Sequence, residues 1–127
     1  LLNFKRKVDA GADSAITQYF YNADAYAHFV DAAQALGIAV PIVPGIMPIA
    51  SFSKIARFSD ACGTEIPRWM RKKFESFGDD AASVRSFGLD VVTALCERLL
   101  ANGAPGLHFY TLNQAGLTST ICQRLGL

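Results

Sequence analysis

The sequence predicts an α/β fold in which three parallel strands belong to a larger, closed sheet. Helical and extended patterns run along the 127 residues in the order helix, strand, helix, strand, three helices, strand, helix, an order that gives parallel strands joined by right-handed crossovers. Parallel sheets are normally covered on both faces and seldom stop at three strands. The two outer strands would expose unpaired edges, which closure into a barrel removes, so the other strands are expected on sequence outside these residues. A small open three-layer sandwich is the alternative.

Leu1, Phe4 and Val8 fall at helical spacing and Gly11 follows as a stop, so residues 1–10 are expected to be the last turns of a helix that begins before Leu1. Residues 14–21, rich in β-branched and aromatic side chains, predict a first strand. Asp24 is the expected cap of a helix with Tyr26, Phe29, Val30, Ala33 and Leu36 on one face and Gly37 at its end. A second strand is expected over 38–43, although Pro41 lacks the donor that a central ladder needs. Three helices follow. One starts near Ser51 and carries Ile55 and Phe58; one opens at Pro67 and carries Met70, Phe74 and Phe77; the third runs from Asp80 to Asn102, with Val84, Phe87, Val91, Leu95 and Leu99 in a stripe and Gly103 as its stop. Residues 106–112 predict the third strand, and Asn113 is the expected cap of a last helix bearing Leu117, Ile121 and Leu125.

With 51% hydrophobic residues and a mean hydropathy of +0.23, the chain has ample apolar surface for a core. Its net charge of +1 offers no global field for nucleic acid or an anionic membrane, so any anion site must be local. Cys62, Cys96 and Cys122 are odd in number and lack a CxxC pair, which argues against a disulfide framework or zinc site and suits a reducing cytoplasm. No apolar run approaches a membrane span. Charges at Lys5, Arg6 and Lys7 follow apolar residues, the wrong order for a secretory leader. Neither GxGxxG nor GxxxxGK[ST] occurs. His28 and His108 show no metal-ligand spacing and are expected to be structural.

Chemistry in a parallel barrel gathers at the C-terminal ends of the strands, and three clusters qualify. Alternation puts Gln18 on one strand face with Ile16 and Phe20, opposite Thr17, Tyr19 and Tyr21. Its amide either pairs with the edge of a heterocycle or is satisfied by neighbouring backbone. Asn3, Arg6 and Lys7 share a helix face at i, i+3 and i+4, an arrangement that can hold a diphosphate or simply face solvent. Pro44-Gly45-Ile46-Met47-Pro48 is expected to form a stiff turn ahead of a helix on which Lys54 and Phe58 lie one turn apart. Phe58 there is a stacking platform or a core residue.

Five blocks add to this: Lys5-Arg6-Lys7-Val8-Asp9-Ala10-Gly11-Ala12, Ala15-Ile16-Thr17-Gln18, Pro44-Gly45-Ile46, Ile66-Pro67 and His108-Phe109-Tyr110-Thr111-Leu112-Asn113. In these blocks and their order the chain closely resembles the C-terminal part of the bacterial methylenetetrahydrofolate reductases, FAD-containing (β/α)8 TIM barrels. The resemblance implies that the strands are the sixth to eighth of the barrel and that residues 1–127 are the C-terminal part of one catalytic domain. It implies an enzyme of one-carbon metabolism and methionine biosynthesis that passes a hydride from NAD(P)H through FAD to 5,10-methylenetetrahydrofolate, giving 5-methyltetrahydrofolate. By the same resemblance Asn3, Arg6 and Lys7 contact FAD, Gln18 contacts folate, Phe58 packs on folate or nicotinamide, and Tyr110 and Leu112 lie near substrate. Lys54 stands where the family can have a substrate-contacting Gln, and Gln114 where an Arg is common. Losing that Arg removes a cation for the folate tail, for which Lys54 is a candidate replacement.

The family's proton donor lies on earlier strands, so no catalytic residue is expected in this chain, which by itself is expected to be inactive. A homo-oligomer is expected, with no metal. The competing possibilities are a non-catalytic half-barrel that self-associates through its open edges, and a lyase using Lys54 as a Schiff-base amine.

Overall fold

The computed structural model describes residues 1–127 as six helices and three strands: α1 (Leu2–Asp9), β1 (Ala15–Tyr19), α2 (Ala23–Ala35), β2 (Ile42–Ile46), α3 (Phe52–Cys62), α4 (Arg68–Phe77), α5 (Ala81–Ala101), β3 (His108–Phe109) and α6 (Ala115–Leu125). The sheet is parallel throughout, in the order β1-β2-β3. This α/β arrangement is consistent with part of a parallel barrel.

Several boundaries differ from the sequence expectations, each for a local reason. The second strand is 42–46 rather than 38–43. Ile38 is drawn under α2 instead, its N–H bonded to the Ala33 carbonyl at 3.1 Å, and it packs with Ala33 and Ile42. Pro41 lends the sheet only its carbonyl, which accepts the Ala15 N–H at 2.9 Å. The turn expected over 44–48 is thus strand as far as Ile46, and Pro44 sits inside it where β1 bulges: the pairs Ile16–Val43 and Tyr19–Gly45 leave one extra residue on β1. The Thr17 hydroxyl accepts the Gly45 N–H at 2.9 Å, so a side chain makes the bond that the broken ladder cannot.

The first strand is likewise trimmed, to 15–19, and the third from 106–112 to its two central residues. A last rung from the Tyr110 N–H to the Ile46 carbonyl, 2.8 Å, ends β3. Leu112 and Asn113 then turn into the left-handed region, with φ of 50° and 64°. Leucine is a costly residue there.

Two expected caps move as well. Asn22 rather than Asp24 caps α2, accepting the Asp24 N–H at 3.0 Å; Asp24 instead pairs with Arg98 at 2.6 Å, joining the start of α2 to the end of α5. The turn at Asn113 makes Gln114 the residue ahead of α6, with no side-chain cap. Pro67 precedes α4 by one residue.

Asp80 caps α5 by accepting the Ser83 N–H at 3.2 Å, and Gly103 ends it at φ 93°. The buried seam of α5 runs through Val84, Gly88, Val92, Leu95 and Leu99, so Phe87 and Val91 flank it rather than centre it. Gly88 allows the closest approach. A Cβ there would stand 2.7 Å from the Ile49 carbonyl oxygen, so α5 presses directly on the backbone that follows β2. The main core combines Tyr19 and Tyr21 with Ile46, Met47 and Ile49 and the inner faces of α3 to α6; a smaller cluster joins Ala33, Ile38 and Ile42 to Phe4 and Val8 of α1.

Candidate functional site

A cavity of about 630 Å³ opens beyond the C-terminal ends of β2 and β3. One wall is the segment after β2, another the outer face of α3, and the third the turn from β3 into α6. It brings together five of the residues singled out in the sequence, Lys54, Phe58, Tyr110, Leu112 and Gln114. They span sixty positions of sequence; the fold makes them neighbours.

Each wall is fixed by an identifiable device. The Tyr21 hydroxyl donates to the Met47 carbonyl at 3.2 Å, and Gly88 holds Ile49, so the stretch after β2 is fastened from both sides. Burial, and after it the neighbouring Tyr19, push the Tyr21 phenol above its usual range, so it stays a neutral donor. On α3, Ile55 and Ser59 face the core, which turns Lys54 and Phe58 outward; Phe58 is 46% exposed. That much open aromatic surface on a cavity wall suits a flat ligand better than a core position.

Tyr110 crosses the sheet. Its ring passes over Gly45 and its hydroxyl donates to the Thr17 carbonyl at 2.8 Å, tying the end of β3 to β1 across β2. A Cβ on Gly45 would be 2.7 Å from the Tyr110 ring and would also strike the Thr17 carbonyl. Tyr110 therefore offers its ring to the cavity while its hydroxyl is engaged. Leu112, 60% exposed, reaches the cavity because of its left-handed backbone.

Gln18 lies apart from these five. It lines a second hollow, of about 750 Å³, along β1 and the α1 side, together with Lys7, Ile16 and Tyr26. Gln18 shares its exposure with Ile16, while Tyr19 is buried, so the two faces of β1 separate as alternation requires. The Gln18 Oε1 accepts the N–H of Tyr19 at 3.2 Å, which leaves its amide nitrogen for a ligand. Asn3 and Arg6 are exposed on α1 and line neither hollow. Lys5 pairs with Asp9 at 3.0 Å, whereas Arg6 and Lys7 make no ion pair. Two unpaired cations and an amide at i, i+3 and i+4 have the donor chemistry that a diphosphate needs.

Sequence reasoning missed Arg57, which lines the first cavity one turn after Lys54; its spacing from Lys54 was the available signal. The three cysteines are separate and free, Cys62 exposed and Cys96 buried. No group of three His, Cys, Asp or Glu side chains converges anywhere in the structure. No helix is long and apolar enough to cross a membrane.

Residues 1–126 match the family model for methylenetetrahydrofolate reductase. The chain is 41% identical over its whole length to the 5,10-methylenetetrahydrofolate reductase of Escherichia coli (strain K12), of which it covers 43%. It is 40% identical to methylenetetrahydrofolate reductase (NADH) 1 of Arabidopsis thaliana, of which it covers 22%. It thus spans less than half the length of these relatives. Among solved structures, a protein from Clostridium thermocellum described as binding two copies of 5-methyl-5,6,7,8-tetrahydrofolic acid matches 95% of this chain and 45% of its own, with a TM-score of 0.59. At 23% identity that likeness is one of fold.

Proposed function

Because the chain belongs to the methylenetetrahydrofolate reductase family, we propose that it forms the C-terminal part of a (β/α)8 barrel, with β1, β2 and β3 as strands six to eight. We further propose that the complete protein, working in the cytoplasm, reduces 5,10-methylenetetrahydrofolate to 5-methyltetrahydrofolate, taking a hydride from NAD(P)H by way of FAD. The observation that carries this is the cavity at the C-terminal ends of β2 and β3, where a parallel barrel binds its ligands.

In this proposal Phe58 and Leu112 give the flat, apolar surface against which a pterin or nicotinamide ring stacks, and Tyr110 stiffens the wall behind it. The free amide nitrogen of Gln18 donates to an acceptor on the pterin edge. Asn3, Arg6 and Lys7 hold the phosphates of FAD, and bound FAD supplies the hydride-carrying chemistry. The chain's own contribution is orientation: α3 and the β3–α6 turn set the angle of the ligand, and the apolar part of the lining covers one face of its ring.

The test is direct. The complete protein, purified yellow and reduced anaerobically with NADH or NADPH, should be reoxidised by 5,10-methylenetetrahydrofolate with formation of 5-methyltetrahydrofolate. Flavin that is reduced but never reoxidised by the folate would defeat the proposal.

A further inference from the structure

The bulge in β1 falls at Gln18. Ile16 pairs with Val43 and Tyr19 with Gly45, so Thr17 and Gln18 together stand opposite Pro44, which has no N–H to give. Three hydrogen bonds from side chains hold the backbone there. The Thr17 hydroxyl accepts the Gly45 N–H at 2.9 Å, the Tyr110 hydroxyl donates to the Thr17 carbonyl at 2.8 Å, and the Gln18 Oε1 accepts the Tyr19 N–H at 3.2 Å. The Thr17 carbonyl belongs to the same planar peptide unit as the Gln18 N–H. Its direction therefore sets the plane from which the Gln18 Cα projects. Gln18 is itself exposed, so backbone rather than packing aims its side chain. Re-aiming a side chain next to an active site is a recurrent use of such bulges.

We infer that Tyr110 is a positioning residue: through the Thr17 carbonyl it holds the bulged peptide that points the Gln18 amide at the pterin edge. This rests on the folate contact proposed above for Gln18. Tyr110 acts from a different hollow, since its ring lines the cavity beyond β2 and β3, whereas Gln18 lines the hollow along β1. The bond joins the two across the central strand. Gly45 keeps that path open, because a Cβ there would strike both the Thr17 carbonyl and the Tyr110 ring. The Tyr110 hydroxyl is already engaged and touches no ligand, so its effect on the folate passes through Gln18.

The experiment follows both half-reactions of the complete protein by anaerobic stopped flow in wild type, Tyr110→Phe, Gln18→Leu and the double variant. In Tyr110→Phe folate reduction should slow about fivefold, as for one neutral hydrogen bond. Flavin reduction by the nicotinamide should stay within about twofold of wild type, the scatter expected between uncoupled groups. In the Gln18→Leu background the same change should slow folate reduction by less than about twofold, because no amide remains to be aimed. Factors that multiply in the double variant, an equal slowing of both half-reactions by Tyr110→Phe, or no slowing at all overturn the inference and leave Tyr110 a tie between strands. A wild-type flavin that the folate never reoxidises fails differently, because it refutes the underlying function along with this inference.

Discussion

Tyr19 and Ser59 share a hydrogen bond of 3.0 Å between their hydroxyls, with the two residues only 3% and 1% exposed. Ser59 follows Phe58 directly on α3, so this bond fixes the helix to β1 from its inner side while its outer side faces the ligand cavity. In Ser59→Ala the Tyr19 hydroxyl would be left buried without that partner, at a cost of about 1 to 3 kcal/mol. The complete protein carrying this change should unfold at lower urea concentration. The KM for the folate should also rise, because α3 carries the cavity wall. A normal unfolding midpoint would show that Tyr19 is satisfied elsewhere.

Gly45 is where three strands become one unit, since only a residue without a Cβ lets the Tyr110 ring lie across it. Gly45→Ala should destabilise the protein by about 1 to 3 kcal/mol through overpacking against backbone that cannot yield. Tyr110→Phe keeps the ring and removes only its hydroxyl, and should cost about 1 kcal/mol. Chemical denaturation of both variants tests the order; a Tyr110→Phe loss as large as that of Gly45→Ala would contradict it.

Gln18→Leu preserves most of the side-chain volume and deletes every hydrogen-bonding atom. Folate reduction by the complete protein should slow by about 5- to 150-fold, equivalent to 1 to 3 kcal/mol. Flavin reduction by the nicotinamide should suffer less. Anaerobic stopped flow at the flavin absorbance separates the two half-reactions. Equal slowing of both would make Gln18 a support of the barrel, a possibility that its bond to the Tyr19 N–H keeps concrete.

Lys7 makes no ion pair on α1, so Lys7→Ala removes a cation without orphaning a carboxylate. FAD retention by the complete protein should weaken about tenfold, the lower end for a charge-assisted hydrogen bond, while far-ultraviolet circular dichroism stays the same. Flavin affinity equal to wild type would return Asn3, Arg6 and Lys7 to an ordinary solvated face.

Burial pushes the Cys96 thiol up to about 12, with smaller contributions from Cys122 and Glu97. The folded state therefore keeps this proton after the unfolded chain, titrating near 9, has lost it. Stability should be unaffected by Cys96 below pH 9 and should fall between about pH 9 and 12, by at most about 1.4 kcal/mol per pH unit. Cys96→Ala should flatten that decline in a pH series of urea unfolding curves. An equally steep decline in the variant would point to other groups.

The helices were legible because their signals are local. Asp80 and Gly103 bracket α5, and the spacing of Val84, Leu95 and Leu99 gives its inner face. The strands were less so, because their ends depend on a partner. Residues 106–112 have strand composition throughout, yet only two find a register with β2 before the left-handed turn at Leu112. Residues 38–43 look extended, but Ile38 is claimed by α2 and the ladder resumes only after Pro41. Of the cavity, Lys54 and Phe58 stood out by helical spacing, whereas Tyr110, Leu112 and Gln114 came from the family resemblance. Gly88 carries no signal in its own neighbourhood, and Gly45 stood out only with its flanking prolines; what each does lies in contacts with Ile49, or with Thr17 and Tyr110, that are distant in sequence.

The prolines in and around the central strand have a further consequence, for the chain before it folds. Residues 38–50 form a long apolar segment without a single charge, which is the composition of a strand that stacks on copies of itself. Pro41, Pro44 and Pro48 interrupt it every few residues, and each removes an amide that a growing cross-β stack would have to use. The native sheet accommodates the loss at Pro44 through the bulge in β1 and the Thr17 hydroxyl. A stack of identical copies has no such partner. An uncharged, apolar stretch of the nascent chain is thus built to pair with β1 and β3 rather than with copies of itself.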